Sequence, residues 1–451
     1  MQRPASISVK RPISAKILIL IVAVVGLAGH PAAAEVPRVL SLDQALTMAR
    51  RTNRTLIAER ERLAQAQTNI EQAWSVLFPT VAAQGKYTRN NIGLSFPISA
   101  VSSTPGQPAG PPTILTIQPL NQLDGVLSFS APLIAPPAYP ALQAVKTGAE
   151  TAEADYETSL TSVLFAVAQA YYAAAISDEV TTARQSNLDV ARATLQNAET
   201  RFSAGSVTKV DVDRAELAVV RAVQALREAR FAQEQSYRTL TTLIQSEGGF
   251  RAEPLAPSRA AEPAQDLDLA LRLRPEFRAI ELLVRSDRLQ QRSYGWRWAP
   301  TLSGFGSARI FNYDNFAEQR HAWAVGVELD WVLFDGGARD AQRHLAAAQA
   351  REALARAQVL RDTIRDDLAN GHGLLETKRR AQEAAERSVG LAVETLDLVR
   401  TQYEAGHIAQ IDLLQAQDGL VAAKEALAQS HFEVAIADLS LRRAAGTFPG
   451  Q

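Results

Sequence analysis

Two aspartates, Asp211 and Asp412, stand 201 positions apart, each six residues after a glycine in a turn-like segment. The first segment reads Arg201-Phe202-Ser203-Ala204-Gly205-Ser206-Val207-Thr208; the second reads Gln402-Tyr403-Glu404-Ala405-Gly406-His407-Ile408-Ala409. A glycine where a long helix reverses suits a left-handed C-cap. A carboxylate in the first turns of the returning helix is favoured by the backbone dipole. Helix-start stabilisation suffices to account for both acids. Repeated around an axis by several copies of the chain, however, either acid becomes a ring of carboxylates. Such a ring favours cations and can keep an aperture shut or pH-sensitive.

Covalent chemistry finds no comparable support. His321, His344, His372 and His431 are widely spaced, His407 sits at a turn, and the chain has no cysteine. That leaves little from which to build a zinc or copper site, and no cofactor is expected. No Gly-rich phosphate loop or metallohydrolase spacing is present. Asp366-Asp367 lies inside a long charged helical stretch and is expected to face solvent, while Asn53 and Asn90-Asn91 read as surface or turn positions. Forty-seven basic against forty-eight acidic residues give no net field to attract nucleic acid.

The elements that position the two acids are long. A helical stripe from Ser41 to about Leu77 stops at Phe78-Pro79, and its counterpart from Asp266 stops at Ala299-Pro300. Alternating segments follow, predicted as strands over 79–89 and 122–132 in the first half and 300–311 and 323–333 in the second. Leu127 and Phe129, and likewise Val327, Leu329 and Trp331, line an apolar face opposite polar residues such as Glu328 and Asp330. Helical hairpins are predicted over 141–246 and 338–444, with leading helices about 90–100 Å long at 1.5 Å per residue. Only 6% of residues are aromatic, which suits alanine-rich helix interfaces better than a single globular core. Residues 35–265 and 266–444 are thus two structural repeats; 247–265 is a polar linker, and 445–451 is expected to be a disordered tail.

The N-terminal residues 1–34 carry Arg3, Lys10, Arg11 and Lys16, an apolar run from Ile17 to Leu27, and small residues up to Ala34. This is a secretory signal pattern. No later stretch approaches eighteen consecutive apolar residues, so an ordinary membrane helix is not expected. Strands of this length instead fit a soluble sandwich or a transmembrane barrel. Four strands cannot close a barrel, and lipid tolerates no open sheet edge. The bilayer reading therefore requires an oligomer, in which three chains supply twelve strands.

The order and duplication of these elements strongly resemble the TolC-type outer-membrane efflux channel family over about residues 38–447. The motifs that carry the resemblance are Leu42-x-x-Ala45-Leu46, the duplicated Pro-led strands, Leu333-Phe334-Asp335-Gly336-Gly337 before a long helix, and Tyr403-x-Ala405-Gly406 with Asp412. The resemblance implies an all-α coiled-coil barrel joined to a transmembrane β-barrel, assembled as a homotrimer in outer-membrane lipid. It also implies a periplasmic adaptor (membrane fusion) protein and an inner-membrane transporter as partners, serving multidrug efflux or type I secretion. Ala204, Gly205, Ser206 and Val207, with Ala405, Gly406, His407 and Ile408, match the tips that contact the adaptor. In the family's best-known member two aspartates a turn apart and a nearby arginine form the inner constriction. Here the first falls on Asp412, the second on Gln415 and the arginine on Ile408, so a differently built gate is expected, with Asp211 or Arg214 contributing.

Two other functions compete. A non-conducting periplasmic coiled-coil scaffold would use the helices and tips, but the strands faced by Val327, Leu329 and Trp331 argue against it. A secreted hydrolase has neither nucleophile–base spacing nor a metal cluster behind it.

Overall fold

The computed structural model describes residues 38–98, 113–246, 249–254, 263–313 and 319–448. The signal segment expected at 1–34 lies outside these residues, as do parts of the segments that connect the expected strands in each half, of the linker and of the tail.

The chain opens with β1 (Arg38–Leu40) and α1 (Leu42–Thr52). Ser41 and Gln44 cap α1 reciprocally, each side chain bonded to the other's backbone N–H. The single helix expected from Ser41 to Leu77 is divided at Asn53. Asn53 Oδ1 accepts from the backbone of Thr55 and Leu56 to open α2 (Arg54–Ser75), while its Nδ2 donates to Leu243 O at 2.9 Å. At 5% exposure Asn53 is a buried joint, not a surface position. The second repeat breaks at the matching place. There α5 (Leu267–Leu273) ends at Arg274, and Pro275 starts α6 (Pro275–Trp296), where its missing N–H costs nothing. The buried Arg274 guanidinium holds Glu276 and, at 3.0 Å, Asp367. Asp367 therefore serves this joint while its side chain stays 43% exposed.

β2 (Thr80–Arg89), β5 (Asn121–Ile134), β7 (Thr301–Phe311) and β8 (His321–Asp330) form one antiparallel sheet in the order β2-β5-β7-β8. The last strand stops three residues short of the expected 333. Beyond it the chain turns through Gly336 and Gly337, both with positive φ, into the next helix. Two short pairs were not foreseen. β3 (Leu94–Ile98) and β4 (Thr113–Gln118) pair beyond the loop end of the sheet. β6 (Phe250–Ala252), inside the expected linker, pairs parallel with β1.

The helical hairpins are α3 (Ala138–Ser203) with α4 (Lys209–Ile244), and α7 (Ala338–Glu404) with α8 (Gln410–Ala444). α3 and α7 run the full length. Their neighbours follow the order α2–α3–α6–α7 on the strand side and α4–α3–α8–α7 beyond the joints. Within the first hairpin the contact is alanine-rich: Leu188 and Ala191 meet Ala222 and Leu226, and Ala198 meets Val212 and Ala215. The main core lies where the layers join, with Leu164, Val167, Ala168, Tyr171 and Ala174 of α3 against β1, α1, β6 and Leu240. α3 is by length and composition apolar enough to cross a membrane, though it holds no run of eighteen consecutive apolar residues. Its buried face explains that character, because α1, α4, β6 and α8 all pack on it.

The start of the expected disordered tail is ordered. Ala445 to Phe448 turn back through Gly446 (φ +72°), with Thr447 N bonded to Arg442 O at 2.8 Å. Phe448, 2% exposed, packs edge-on to Phe165 at 5.9 Å. A Cβ on Gly446 would sit 2.6 Å from Leu273 Cβ. Gly446→Ala is therefore expected to destabilise the protein by about 1–3 kcal/mol. Gly390→Ala, in open space on α7, should stabilise it by about 0.4–1 kcal/mol. Thermal unfolding of the purified protein should show midpoint shifts of opposite sign.

Candidate functional site

Both hairpins reverse by the same device. Ser206 N bonds to Arg201 O and Gly205 N to Phe202 O; His407 N bonds to Gln402 O and Gly406 N to Tyr403 O. These are paired Schellman closures, and they hold Gly205 and Gly406 at φ +71° and +79°. Ala204, Gly205, Ser206, Ala405, Gly406 and His407 are exposed, while Val207 and Ile408 are half-buried. The two reversals are tied together by the Arg201 guanidinium, 4.7 Å over the Tyr403 ring. No feature of the sequence singles out that contact, because neither residue matches its counterpart in the other repeat.

The duplicated acids occupy equivalent places with different surroundings. Asp211 Oδ2 accepts from Thr208 Oγ1 at 2.7 Å and Thr208 N at 3.0 Å, and Arg214 lies 3.8 Å away. The bonds from Thr208, and secondarily the charge of Arg214, hold the Asp211 carboxyl below its ordinary range. Asp412 Oδ2 accepts only Ala409 N, at 3.2 Å, since Ala409 has no hydroxyl to offer. The position equivalent to Arg214 is Gln415. Asp412 and Gln415 are both exposed, and Asp412 has no ion-pair partner among the described residues. Beside it Gln410 is 3% exposed, with both side-chain amide atoms unpartnered.

The seam between the hairpins is polar. Arg184 pairs with Glu425, Gln417 Nε2 donates to Thr194 Oγ1 at 3.2 Å, and His431 stands 3.9 Å from Glu179. Burial pushes the Glu425 carboxyl up, and Arg184 partly offsets that. Along this stretch α3 is thus joined to α8 by hydrogen bonds and charge, whereas to α4 it is joined both by apolar contact and by Gln233 and Tyr237, which donate to Asp178 at 2.6 and 2.8 Å.

At the other end of the molecule the sheet has two unlike faces. Register places Val81, Ala83 and Tyr87 beside Phe129, Leu127 and Leu123; Phe129 and Leu127 lie beside Gly306 and Ala308, and Gly125 beside Ile310. Trp323, Val325, Val327 and Leu329 continue the same face on β8. Val327 is 69% exposed and Trp323 75% exposed. The opposite face carries Gln84, Lys86, Asp124, Ser128, Ser303, Ser307, Arg309, Glu328 and Asp330. Trp331 shares the parity of Leu329 but lies beyond the strand, where its indole N–H donates to Trp298 O at 3.1 Å. It joins Trp74, Phe78, Trp296, Trp298 and Phe334 in a group of exposed aromatics where strands meet helices, the kind of belt that marks a membrane–water boundary.

The array also ends in unpartnered edges. β2 and β8 each lack a neighbour on their outer side. The edge helix α4 exposes Val210, Leu217 and Phe231, and the edge helix α7 exposes Leu391 and Leu398, at heptad-like spacing.

Among known proteins, the model of the outer membrane efflux protein family matches residues 45–245 and 267–447. The chain is 25% identical over 277 residues to the outer membrane efflux protein BepC of Brucella suis biovar 1 (strain 1330), covering 59% of each. It is 25% identical over 226 residues to the outer membrane protein OprJ of Pseudomonas aeruginosa, covering 48% of this chain and 47% of that one. The chain thus spans about half to three fifths of the length of these relatives. Its fold is that of the Campylobacter jejuni CmeC outer membrane channel, with a TM-score of 0.76 and 17% identity over 90% of this chain and 86% of that one.

The Thr208–Asp211 cap gives a testable pH dependence. With its pKa lowered in the folded state, Asp211 contributes stability that is complete above the ordinary carboxylate range and is lost as pH falls through its folded value, below about 4. Amide protection in the first turn of α4, measured relative to the intrinsic exchange rate at each pH, should therefore fall on acidification. Asp211→Asn should lower that protection at pH 7, by about 0.5–2 kcal/mol of lost cap, and flatten its acid dependence.

Proposed function

Because the chain belongs to the outer membrane efflux protein family, and so to the outer membrane, we propose that three copies close into one conduit. Their twelve strands span the bilayer and their helices form a tunnel in the periplasm. The observation that carries this reading is the sheet, with an exposed face that is apolar up to Arg89, Asn121 and His321 at its loop end, a charged opposite face and, among the described residues, two unpaired edges. In hydrocarbon an unpaired edge costs several kcal/mol per unsatisfied group, so β8 of one copy must pair with β2 of the next until the ring closes. Twelve strands also leave a wider interior than eight, whose lumen side chains fill. The apolar residues exposed on α4 and α7 supply the matching contact between neighbouring subunits.

In this reading Leu127, Phe129, Val327 and Leu329 face lipid, and Trp331 sits at the headgroup boundary. The tips at 204–207 and 405–408 receive a periplasmic adaptor, through which an inner-membrane transporter delivers cargo for efflux or secretion. Asp412, exposed and without a cation of its own, repeats around the axis as the constriction; Gln415 lies one turn on. Asp211 and Arg214 are paired with each other and contribute less. Opening moves the α7–α8 hairpin away from α3 along the polar seam, and adaptor contacts bias that equilibrium. A non-conducting scaffold would have no use for the apolar sheet face.

Purified protein should run as a trimer and conduct in planar bilayers; a stable, soluble monomer would end the proposal. Val327→Lys should impair membrane assembly, at about 2–4 kcal/mol for a cation at mid-bilayer, whereas Ser307→Lys on the opposite face should be tolerated. Asp412→Ala should raise single-channel conductance, and an unchanged value would place the gate elsewhere.

A further inference from the structure

The ionisable groups on the polar face of the sheet are sorted by height. Towards the loops, Lys86 on β2 stands opposite Asp124 on β5, and Arg309 on β7 stands opposite the adjacent Val126. The Arg309 guanidinium is 3.7 Å from the Asp124 carboxylate, which also accepts Gln122 Nε2 at 2.7 Å. One carboxylate thus lies between two cations. Towards the helices the face carries Glu328 and Asp330, and their register partners are Ser303 and Thr301. β5 adds only Pro132 beside Ser303, so no cation shares those rows. Both carboxylates are exposed, and neither has an ion-pair partner among the described residues. Arg309 pairs with Ala322, six residues along β8 from Glu328, so the tiers are about 20 Å apart at strand rise.

The partnerless state of Glu328 and Asp330 needs a physical account. A fold that uses acids for packing pairs them, as Asp124 is paired here. Exposed acids on the face turned away from the apolar surface have only the lumen to act on. The outer tier is weaker, with one net positive charge per chain and part of that engaged with Asp124.

We propose that Glu328 and Asp330 set the charge selectivity of the β-barrel, collecting cations and cationic amphiphiles where cargo passes from the helical tunnel into the membrane, while Lys86 and Arg309 oppose them at the outer mouth. The proposal rests on the trimeric conduit, in which the inner tier becomes a ring of six carboxylates. Rings of one sign bias permeation by concentrating the counter-ion. At about 0.1 M salt the Debye length of about 10 Å lets such a potential reach well into a lumen of this size.

The test is the reversal potential of trimers in planar bilayers under a potassium chloride gradient. Wild-type channels should prefer potassium. Glu328→Gln with Asp330→Asn should lower the potassium-to-chloride permeability ratio roughly threefold or more, and the corresponding double lysine variant should reverse the preference. Lys86→Gln with Arg309→Gln should raise the ratio. Asp412→Asn separates this from selectivity at the tunnel tip. If that change alone removes the preference while the Glu328/Asp330 variant conducts with an unaltered reversal potential, the assignment is overturned and the conduit stands. Trimers that never conduct would overturn both. The amide variants replace exposed groups of nearly equal shape, and trimer yield reports their folding independently of selectivity.

Discussion

A backbone N–H or C=O inside hydrocarbon must find a partner within the protein. The rest of this structure can be arranged around that constraint. A sheet of four strands leaves the outer sides of β2 and β8 open, while the residues between them present an apolar face that water would not tolerate at this size. The edge helices repeat the situation in gentler form, since Leu217, Phe231, Leu391 and Leu398 are exposed with nothing in the chain to cover them. Both ends of the molecule thus show, among the described residues, surfaces that a single copy does not cover.

The connection between sheet and helices is made by residues that stop one kind of structure and start another. Gly336 and Gly337 turn the chain after β8, and the buried Arg339 binds Asp335, the carbonyls of Val332 and Arg297, and the face of Trp298. Farther down, Asn53 and Arg274 divide the shorter helices where the two helical layers meet. At the far end the Schellman glycines reverse the hairpins. Between these fixed points helix contact is made mostly by alanine, which lets backbones approach closely with little rotamer entropy at stake. The two seams of α3 differ in balance. Apolar contact together with the bonds from Gln233 and Tyr237 to Asp178 joins it to α4, whereas Arg184 and Thr194 join it to α8 by charge and hydrogen bonding.

Periodicity made the strands and long hairpins legible, because an alternating face and a stripe of Leu and Ala are local properties of the chain. Repetition made the tips legible, since Gly205 and Gly406 with Asp211 and Asp412 recur at one spacing. Periodicity could not reveal Asn53 as a joint. Its role depends on Leu243 O, 190 residues away, and an isolated Asn in a helical pattern looks like any surface position. The same holds for Asp367, whose partner Arg274 lies 93 residues away, and for Phe448, whose burial depends on Phe165. The β1–β6 pair escaped because three-residue strands carry no measurable alternation.

The sequence by itself determined the kind and approximate extent of the four long strands and the two long hairpins, the two unlike faces of the sheet and the positions of the hairpin turns. Each of these follows from side-chain order along a few residues. The tertiary structure decided what those elements do to one another: Arg201 lies over Tyr403, Asp211 has Arg214 at 3.8 Å while Asp412 has no ion-pair partner among the described residues, and the charges on the sheet fall into two tiers. These depend on register and on contact between distant segments. A residue's type does not specify its neighbours when those neighbours are brought to it by the fold.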